Sequence, residues 1–236
     1  MKNFIENIRK AMFSKNIKPY AIDYKFYNII CEREKDKSTI VKAEELYFDI
    51  IRNYSTAVTN NNVIEIKTKE GLFNIIITNA GLWFGEEDIN GNTIKALSIG
   101  KDLLSNTNGD VLKFLLAYKT AIIHELIHKD DQERIKKKIN SDTESDNYFI
   151  NPMEFNAYYL QFAELVYDTV KFQCKTPNDF YKKFGDKESF IKYFWDRVNR
   201  EQPELKPSLD KKYTFKWNKR IYQLYDEIVK YLKEPK

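Results

Sequence analysis

Residues 110–129, DVLKFLLAYKTAIIHELIHK, constrain the fold more than any other part of the chain. Apolar side chains occupy almost every side of a helix drawn through this stretch, and such a helix runs through the middle of a hydrophobic core. A chain of 236 residues is long enough to bury a core of that kind. We therefore predict a buried central helix around which the other elements pack.

The only two histidines of the chain lie on this predicted helix, in the string His124-Glu125-Leu126-Ile127-His128. Side chains four residues apart lie on one side of a helix, so both imidazoles can reach the same ion. A catalytic zinc takes imidazole nitrogens with a carboxylate or a third nitrogen, and Glu125 is placed to accept a proton from the zinc-bound water. The string therefore predicts Zn²⁺ bound by His124 and His128, with Glu125 as the general base. A hydrogen-bonded cluster without metal is the alternative.

The third metal ligand cannot be a histidine, because the chain has only two. A carboxylate is favoured over Cys31 and Cys174, which belong to no paired-cysteine motif. Glu154 ranks first, because Asn151 and Pro152 are typical of a helix start and a ligand on a helix is held rigidly. Its alternative role is that of a first-turn acid that the helix dipole favours. The competing ligands are Asp142, Glu144 and Asp146, followed by Asp130 and Asp131.

The segment Asn151–Tyr159, NPMEFNAYY, resembles the Glu-x-Glu-Ala and Glu-x-x-Ala segments that follow HExxH in gluzincins. The resemblance is to compact bacterial and phage metallopeptidases, including the ImmA/IrrE-like group, and covers roughly residues 94–172. It implies a zincin-like fold, zinc peptidase activity on a peptide or protein substrate, and Glu154 as the third ligand. It also implies that Ala157 lets two helices approach. Lys129 and Asn156 depart from the family pattern, which usually has an uncharged residue and a second acid there.

Hydrolysis also needs a donor that stabilises the oxyanion, and an edge strand that pairs with extended substrate. Tyr148 and Tyr158 are the candidate donors, although the chain has 16 tyrosines and aromatic packing is the alternative for each. Residues 94–99 resemble the zincin edge strand in their position just before the motif helix, with an ordinary sheet strand as the alternative.

The remaining pattern predicts an α+β fold, with a small, mostly antiparallel sheet packed on the active-site helix and a helical C-terminal part. The predicted elements before the motif are a helix at 4–13, a strand at 22–32, a helix that Ser38 or Thr39 caps, and strand pairs joined at Glu70-Gly71 and at 88–92. Those after it are helices at 152–172, 178–184, 186–200 and 209–233. We predict a metallopeptidase core at 1–175 and a helical extension at 176–236, packed on the core.

The composition narrows the classes of partner. The 39 basic and 35 acidic residues nearly cancel, which disfavours nucleic-acid binding, and Lys136–Lys138 is interpreted as a solvated loop. No stretch approaches the roughly 20 apolar residues of a membrane helix, and the N-terminal residues lack a signal-peptide pattern. We expect a cytoplasmic protein, with secretion that needs no signal still open. The alternative to an enzyme is a zincin-fold regulatory or toxin-like binding protein with little or no turnover.

Overall fold

The structure is a computed structural model that describes residues 34–60, 62–134, 149 and 152–233. The predictions for residues 4–13 and 22–32 lie outside the described residues. Strands and helices confirm the α+β class, and the described residues divide into two compact units. The first comprises residues 38–60 and 62–134, and the second comprises residues 34–37, 149 and 152–233. The domain boundary predicted after residue 175 falls inside the second unit.

Helix α1 spans Glu34–Asn53 and ends in a short 3-10 turn at Tyr54–Thr56. The prediction that Ser38 or Thr39 caps this helix was wrong, because the helix begins four residues before Ser38 and both residues lie inside it. The apolar spacing was interpreted correctly: Ile40, Ala43 and Tyr47 are buried along one side. An amphipathic pattern thus located the helix but not its first residue.

The sheet has five strands in the order β1-β2-β3-β5-β4. Their bounds are β1 Val58–Asn60, β2 Val63–Thr68, β3 Gly71–Thr78, β4 Leu82–Ile89 and β5 Asn92–Gly100. The β3–β5 pair is parallel and the other described pairs are antiparallel, so the sheet is mixed and mostly antiparallel. Both predicted strand pairs are present, and the second closes through Asn90 and Gly91 with φ of 55° and 81°. Asn-Gly is the pair that such a two-residue turn favours.

The parallel pairing of β3 with β5 determines which strand lies at the edge of the sheet. Strand β5 pairs with β3 on one side and with β4 on the other. Of the two interpretations of residues 94–99, the edge strand was therefore wrong and the ordinary sheet strand is confirmed. Strand β4 is the edge strand at this end of the described sheet. The physical reason is that β5 inserts beside β3 through a non-local pairing, which local alternation of apolar residues does not reveal.

One face of the sheet carries large buried side chains at matched positions. Ile66 lies opposite Phe73, and Phe84 lies opposite Leu97, and all four side chains are buried. The Phe73 and Phe84 rings are stacked with centroids 6.2 Å apart. A separate, smaller cluster lies on the other face and consists of Val63, Ile76 and Ala96, with Ile89 and Ile94 packed against it. Cross-strand packing of this kind fixes the register of the strands.

Three helices follow the sheet in the first unit: α2 at Lys101–Leu104, α3 at Val111–Ala117 and α4 at Lys119–Arg134. The predicted central helix is thus interrupted at Tyr118, whose φ of −113° and ψ of 32° are not helical. The α4 part is buried as predicted, since Ile122, Ile123, Leu126 and Ile127 are each at most 1% exposed. The histidine motif consequently lies on a buried helix that contacts the edge strand β4.

The second unit is helical in its described residues: α5 Pro152–Gln173, α6 Pro177–Phe184, α7 Lys187–Glu201, α8 Leu205–Ser208 and α9 Lys211–Lys233. The predicted starts and ends of α5, α6, α7 and α9 agree within two residues. Trp217 of α9 is fully buried among Phe155 and Tyr159 of α5 and Phe194 of α7. The predicted apolar stripe of α9 is confirmed, because Ile221, Leu224, Ile228 and Leu232 are buried with it.

Within the described residues, no helix combines the length and the apolar character needed to cross a membrane.

Candidate metal centre

The two histidines of α4 converge as the sequence predicts. His124 and His128 are buried, and their Nε2 atoms lie 3.0 Å apart. The ring planes are inclined by 76°, with centroids 4.7 Å apart, so the imidazoles meet at their nitrogens rather than stacking. Two ring nitrogens this close either share a proton or bind a common cation, because both carry lone pairs when neutral. The pair therefore forms half of a possible metal site.

Glu154 completes this group in the described part of the chain. It lies in the first turn of α5, and its carboxylate and the two imidazoles offer ligand atoms that all lie within 4.8 Å of one another. The three side chains form a cluster that could hold a metal ion. Two nitrogens and one carboxylate oxygen form a donor set that suits zinc and leaves a fourth position for water.

Glu125 lies on the same helix, next to the first histidine, and is fixed by the edge strand. Its Oε2 atom accepts a hydrogen bond from the backbone N–H of Phe84 in β4, at 3.1 Å. The contact brings the carboxylate to the edge of the sheet and not into its interior. A carboxylate at this place can receive a proton from a water beside the histidines and stay close to a chain bound along β4.

Three contacts join the motif helix α4 and the preceding helix α3 to the rest of the first unit. Lys119, the first residue of α4, pairs with the buried Glu44 of α1 at 3.1 Å. The Tyr47 hydroxyl donates to the Leu115 carbonyl of α3 at 3.0 Å. Lys129 pairs with Glu70 in the β2–β3 turn at 3.0 Å. The lysine after the second histidine thus joins α4 to a turn of the sheet.

The first turns of α5 are anchored to α9 within the second unit. Arg220 donates from Nη2 to the Asn156 side chain at 3.2 Å, and its guanidinium lies over the Tyr159 ring at 3.6 Å. Phe155 contacts the rings of Tyr213 and Trp217. Asn156 therefore has a partner on α9. These contacts fix the part of α5 that carries Glu154.

The remaining predicted site residues divide between described and undescribed parts. Tyr158 lies four residues after Glu154 on α5, on the same side of that helix, and its ring contacts Phe149 with centroids 5.4 Å apart. Its predicted part as an oxyanion donor stays a prediction. Tyr148 lies outside the described residues, as do Cys31, Asp142, Glu144, Asp146 and Lys136–Lys138; the side chains of Asp130 and Asp131 are likewise outside the description.

Cys174 is not part of the metal-binding cluster found among the described residues. It is a free, buried cysteine after the end of α5, and it is not part of the three-residue group. Burial, as the main cause, raises the pKa of the Cys174 thiol, and the nearby Lys183 only partly opposes this. A raised pKa makes the thiolate, the form that binds metal, harder to generate.

Two contributors to the site were not found by sequence reasoning. The Phe84 N–H that fixes Glu125 is a backbone group 41 residues away, so its own side chain gives no sign of this role. Arg220 reaches Asn156 over 64 residues. A basic residue directly beside the apolar stripe of α9 is the signal that could have pointed to Arg220, because a half-buried guanidinium needs acceptors.

Comparisons with known proteins place the chain in no family. No family model matches the sequence, and neither the curated proteins nor the solved structures contain a significant match.

Proposed function

We propose that this chain is a zinc-dependent metallopeptidase in which His124, His128 and Glu154 bind the metal and Glu125 is the general base. The observation that carries the proposal is the 3.0 Å approach of the two Nε2 atoms, with a carboxylate within 4.8 Å. Two ligands bound to zinc at about 2.05 Å and at a tetrahedral angle lie about 3.3 Å apart. The observed separation is close to that value, so the imidazoles need only a small adjustment to bind one ion.

The donor set also supports zinc chemistry. Zinc bound by two imidazoles and a carboxylate would lower the pKa of a bound water towards neutrality and would polarise a substrate carbonyl. Calcium and magnesium prefer oxygen ligands, and two imidazole nitrogens do not suit either ion. The burial of both histidines keeps bulk water from competing for their nitrogens.

Glu125 would move the proton. Glu125 follows His124 in the chain, and the Phe84 N–H holds one of its carboxylate oxygens at 3.1 Å. In this orientation it accepts a proton from the attacking water and then delivers that proton to the leaving amine nitrogen. The water oxygen forms the bond to the carbonyl carbon while the C–N bond breaks, so the reaction is hydrolysis of a peptide bond.

Strand β4 would align the substrate. Within the described sheet, β4 pairs with β5 alone. The Phe84 N–H points to Glu125 and away from β5, so by the alternation of an antiparallel ladder the backbone groups of Leu82 and Glu86 point the same way. An extended peptide can bind to such groups by strand addition. Its scissile bond would then lie close to Glu125. Tyr158 is the proposed oxyanion donor, because it shares the side of α5 that carries Glu154.

A peptidase assay with matched variants tests this proposal. We expect the purified chain to cleave an unfolded protein such as reduced casein, to lose this activity with a zinc chelator, and to regain it with added zinc. His128→Ala and Glu154→Ala should be inactive. Asp168→Ala serves as the control, because Asp168 is a half-buried acid about four turns further along the same helix. Chelator-resistant cleavage, or full activity of Glu154→Ala, would contradict the proposal.

The binding alternative rests on a different observation. Helix α9 exposes Phe215, at 69%, next to the exposed lysines Lys211, Lys212, Lys216 and Lys219. A cationic surface of this kind can attract an anionic partner, and the exposed ring can pack against it. If the chain acts by binding alone, its biological effect should survive Glu125→Gln, whereas the peptidase proposal requires that effect to disappear.

A further inference from the structure

The edge strand β4 carries an exposed tryptophan on the face of the sheet opposite to that of Phe84. Trp83 directly precedes Phe84, and successive side chains of a strand point to opposite faces. Phe84 is buried, whereas Trp83 is 37% exposed. The other two tryptophans of the chain, Trp195 and Trp217, are buried. Of the three indole rings, Trp83 therefore has the one that a ligand can reach from solvent.

Two glycines and a carboxylate determine the position of the Trp83 ring. A Cβ atom added at Gly81 would lie 3.0 Å from Cζ3 of the ring, and one added at Gly85 would lie 3.5 Å from Cδ1. The indole thus occupies the space that side chains at these two positions would need. Its Nε1 donates to Oε1 of Glu87 at 2.8 Å. A ring that is already fixed in this way loses little freedom when a ligand packs on it.

Glu87 adds a negative charge, and among the described residues no lysine or arginine pairs with it. Ser98, opposite Trp83 on β5, donates from Oγ to the same Oε1 atom at 2.7 Å, so two neutral donors fix the carboxylate. The neighbouring Glu86 differs, because it lies directly opposite Lys95. A carboxylate beside an indole favours a cation, since the carboxylate can form an ion pair and the face of the indole attracts positive charge.

The backbone of β4 determines what kind of molecule can bring that cation. Within the described sheet, the backbone groups of Leu82 and Glu86 point away from β5, and an extended peptide can bind to them by strand addition. A residue of the added strand that lies opposite Trp83 directs its side chain to the Trp83 face, with Cβ atoms about 4.5–5.5 Å apart. That residue is next to the one opposite Phe84, whose N–H donates to Glu125 at 3.1 Å.

We propose that Trp83 and Glu87 select an arginine or lysine side chain in an extended substrate, one residue from the position opposite Phe84. The inference rests on the proposed peptidase function and names its substrate class, a peptide with a basic residue close to the scissile bond. Arginine is favoured over lysine, because its planar guanidinium can stack on the indole and donate two N–H groups to a carboxylate. Trp83 and Glu87 determine selectivity and take no part in proton transfer.

The test is calorimetric binding to the full-length, metal-free chain, so that hydrolysis does not consume the probes. The probes are acetyl-Ala-Val-Xaa-Val-Ala-amide peptides with arginine, citrulline, lysine or glutamate as Xaa. Citrulline has nearly the shape of arginine without its charge. We expect the arginine peptide to bind most tightly and the glutamate peptide most weakly. The arginine peptide should also reduce the quenching of tryptophan fluorescence by acrylamide, because Trp83 is the exposed indole.

Three variants of the two residues measure the effect. Glu87→Gln keeps an acceptor for the Trp83 N–H, and it should reduce the advantage of the arginine peptide over the citrulline peptide about two- to five-fold. Trp83→Leu removes the face of the ring and should likewise reduce that advantage about two- to five-fold. In Trp83→Leu the peptide should no longer change the quenching by acrylamide. Glu87→Lys should reverse the preference towards the glutamate peptide.

Glu65→Gln is the matched control. Glu65 is a half-buried strand glutamate on the same face of the sheet, and β3 and β5 lie between its strand β2 and β4. Three strand spacings are about 14 Å, which exceeds the Debye length of about 8 Å at physiological salt, so every affinity should stay unchanged.

Four outcomes would overturn the proposal: equal binding of the arginine and citrulline peptides, no binding of any peptide, a Glu65→Gln effect equal to that of Glu87→Gln, or displacement of the arginine peptide by acetyl-arginine-amide at similar affinity. In the last case the ligand would be a small cation and not an extended chain.

The same measurements separate this inference from the proposed function. Selective binding of the arginine peptide to a chain that cleaves no peptide would leave the part of Trp83 and Glu87 standing and remove the peptidase. Cleavage without any preference for basic residues would do the reverse.

Discussion

Two substitutions of Glu125 should separate its part in folding from its part in chemistry. The Glu125 carboxylate accepts the Phe84 N–H at 3.1 Å in a partly buried position. Alanine removes the acceptor, and an unsatisfied amide N–H costs about 1–3 kcal/mol. Glutamine keeps an acceptor oxygen at nearly the same place, so its cost should stay below about 1 kcal/mol. In a chain of this size each kcal/mol lowers the melting temperature by about 2–4 °C.

We therefore expect Glu125→Ala to melt about 2–12 °C below the wild type, and Glu125→Gln to melt within about 4 °C of it. The melts are recorded with a chelator present, because metal binding would add its own stabilisation. With zinc restored, both variants should lose about 10²- to 10⁴-fold in kcat, since neither amide nor methyl accepts the proton. Equal destabilisation by the two substitutions would refute the inferred hydrogen bond. Retained hydrolysis by Glu125→Gln would refute its part as general base.

Three further predictions concern the helical unit. Trp217→Ala should destabilise the chain by about 3–5 kcal/mol in calorimetric unfolding, because the ring is fully buried among other aromatic rings; a loss below about 1 kcal/mol would contradict this. The Asp179 carboxylate accepts hydrogen bonds from Thr176 and Lys175, and these lower its pKa. The Asp186 carboxylate accepts hydrogen bonds from Ser189, which likewise lower the pKa of Asp186. The stabilisation from the two aspartates should be complete above pH 3.8, the ordinary pKa of an aspartate, and should be lost as the pH falls through the lowered pKa of the folded state. The melting temperature of Asp179→Asn should therefore depend less on pH in the acid range than that of the wild type. Gly185→Ala should lower the melting temperature, because φ is 73° and an added Cβ would lie 2.9 Å from that of Ser189.

The sequence predicted the site more completely than it predicted the sheet. The spacing of His124 and His128 determines which side of α4 they share, because the geometry of a helix is local. The helix that carries Glu154 was also predictable, since Pro152 marks its start. Tyr118 breaks the preceding helix although its neighbours are apolar, and nothing in the local pattern distinguishes it from them. Local reasoning succeeded where neighbours along the chain determine the structure.

Pairings between distant segments were the part that could not be predicted. The parallel partnership of β3 with β5 depends on contacts about 20 residues apart, and it moved the edge strand from β5 to β4. The hydrogen bond from the Phe84 N–H to Glu125 depends on the edge position of β4, because an edge strand has N–H groups that face away from the sheet and can donate to a side chain.

The zinc content of the purified full-length chain, measured by mass spectrometry of the metals, tests the central claim most directly. We predict close to one zinc ion per chain in the wild type and in Glu125→Gln. We predict a large loss of zinc in His128→Ala and in Glu154→Ala. A wild-type chain that binds no zinc, or a Glu154→Ala chain that binds as much as the wild type, would contradict the account.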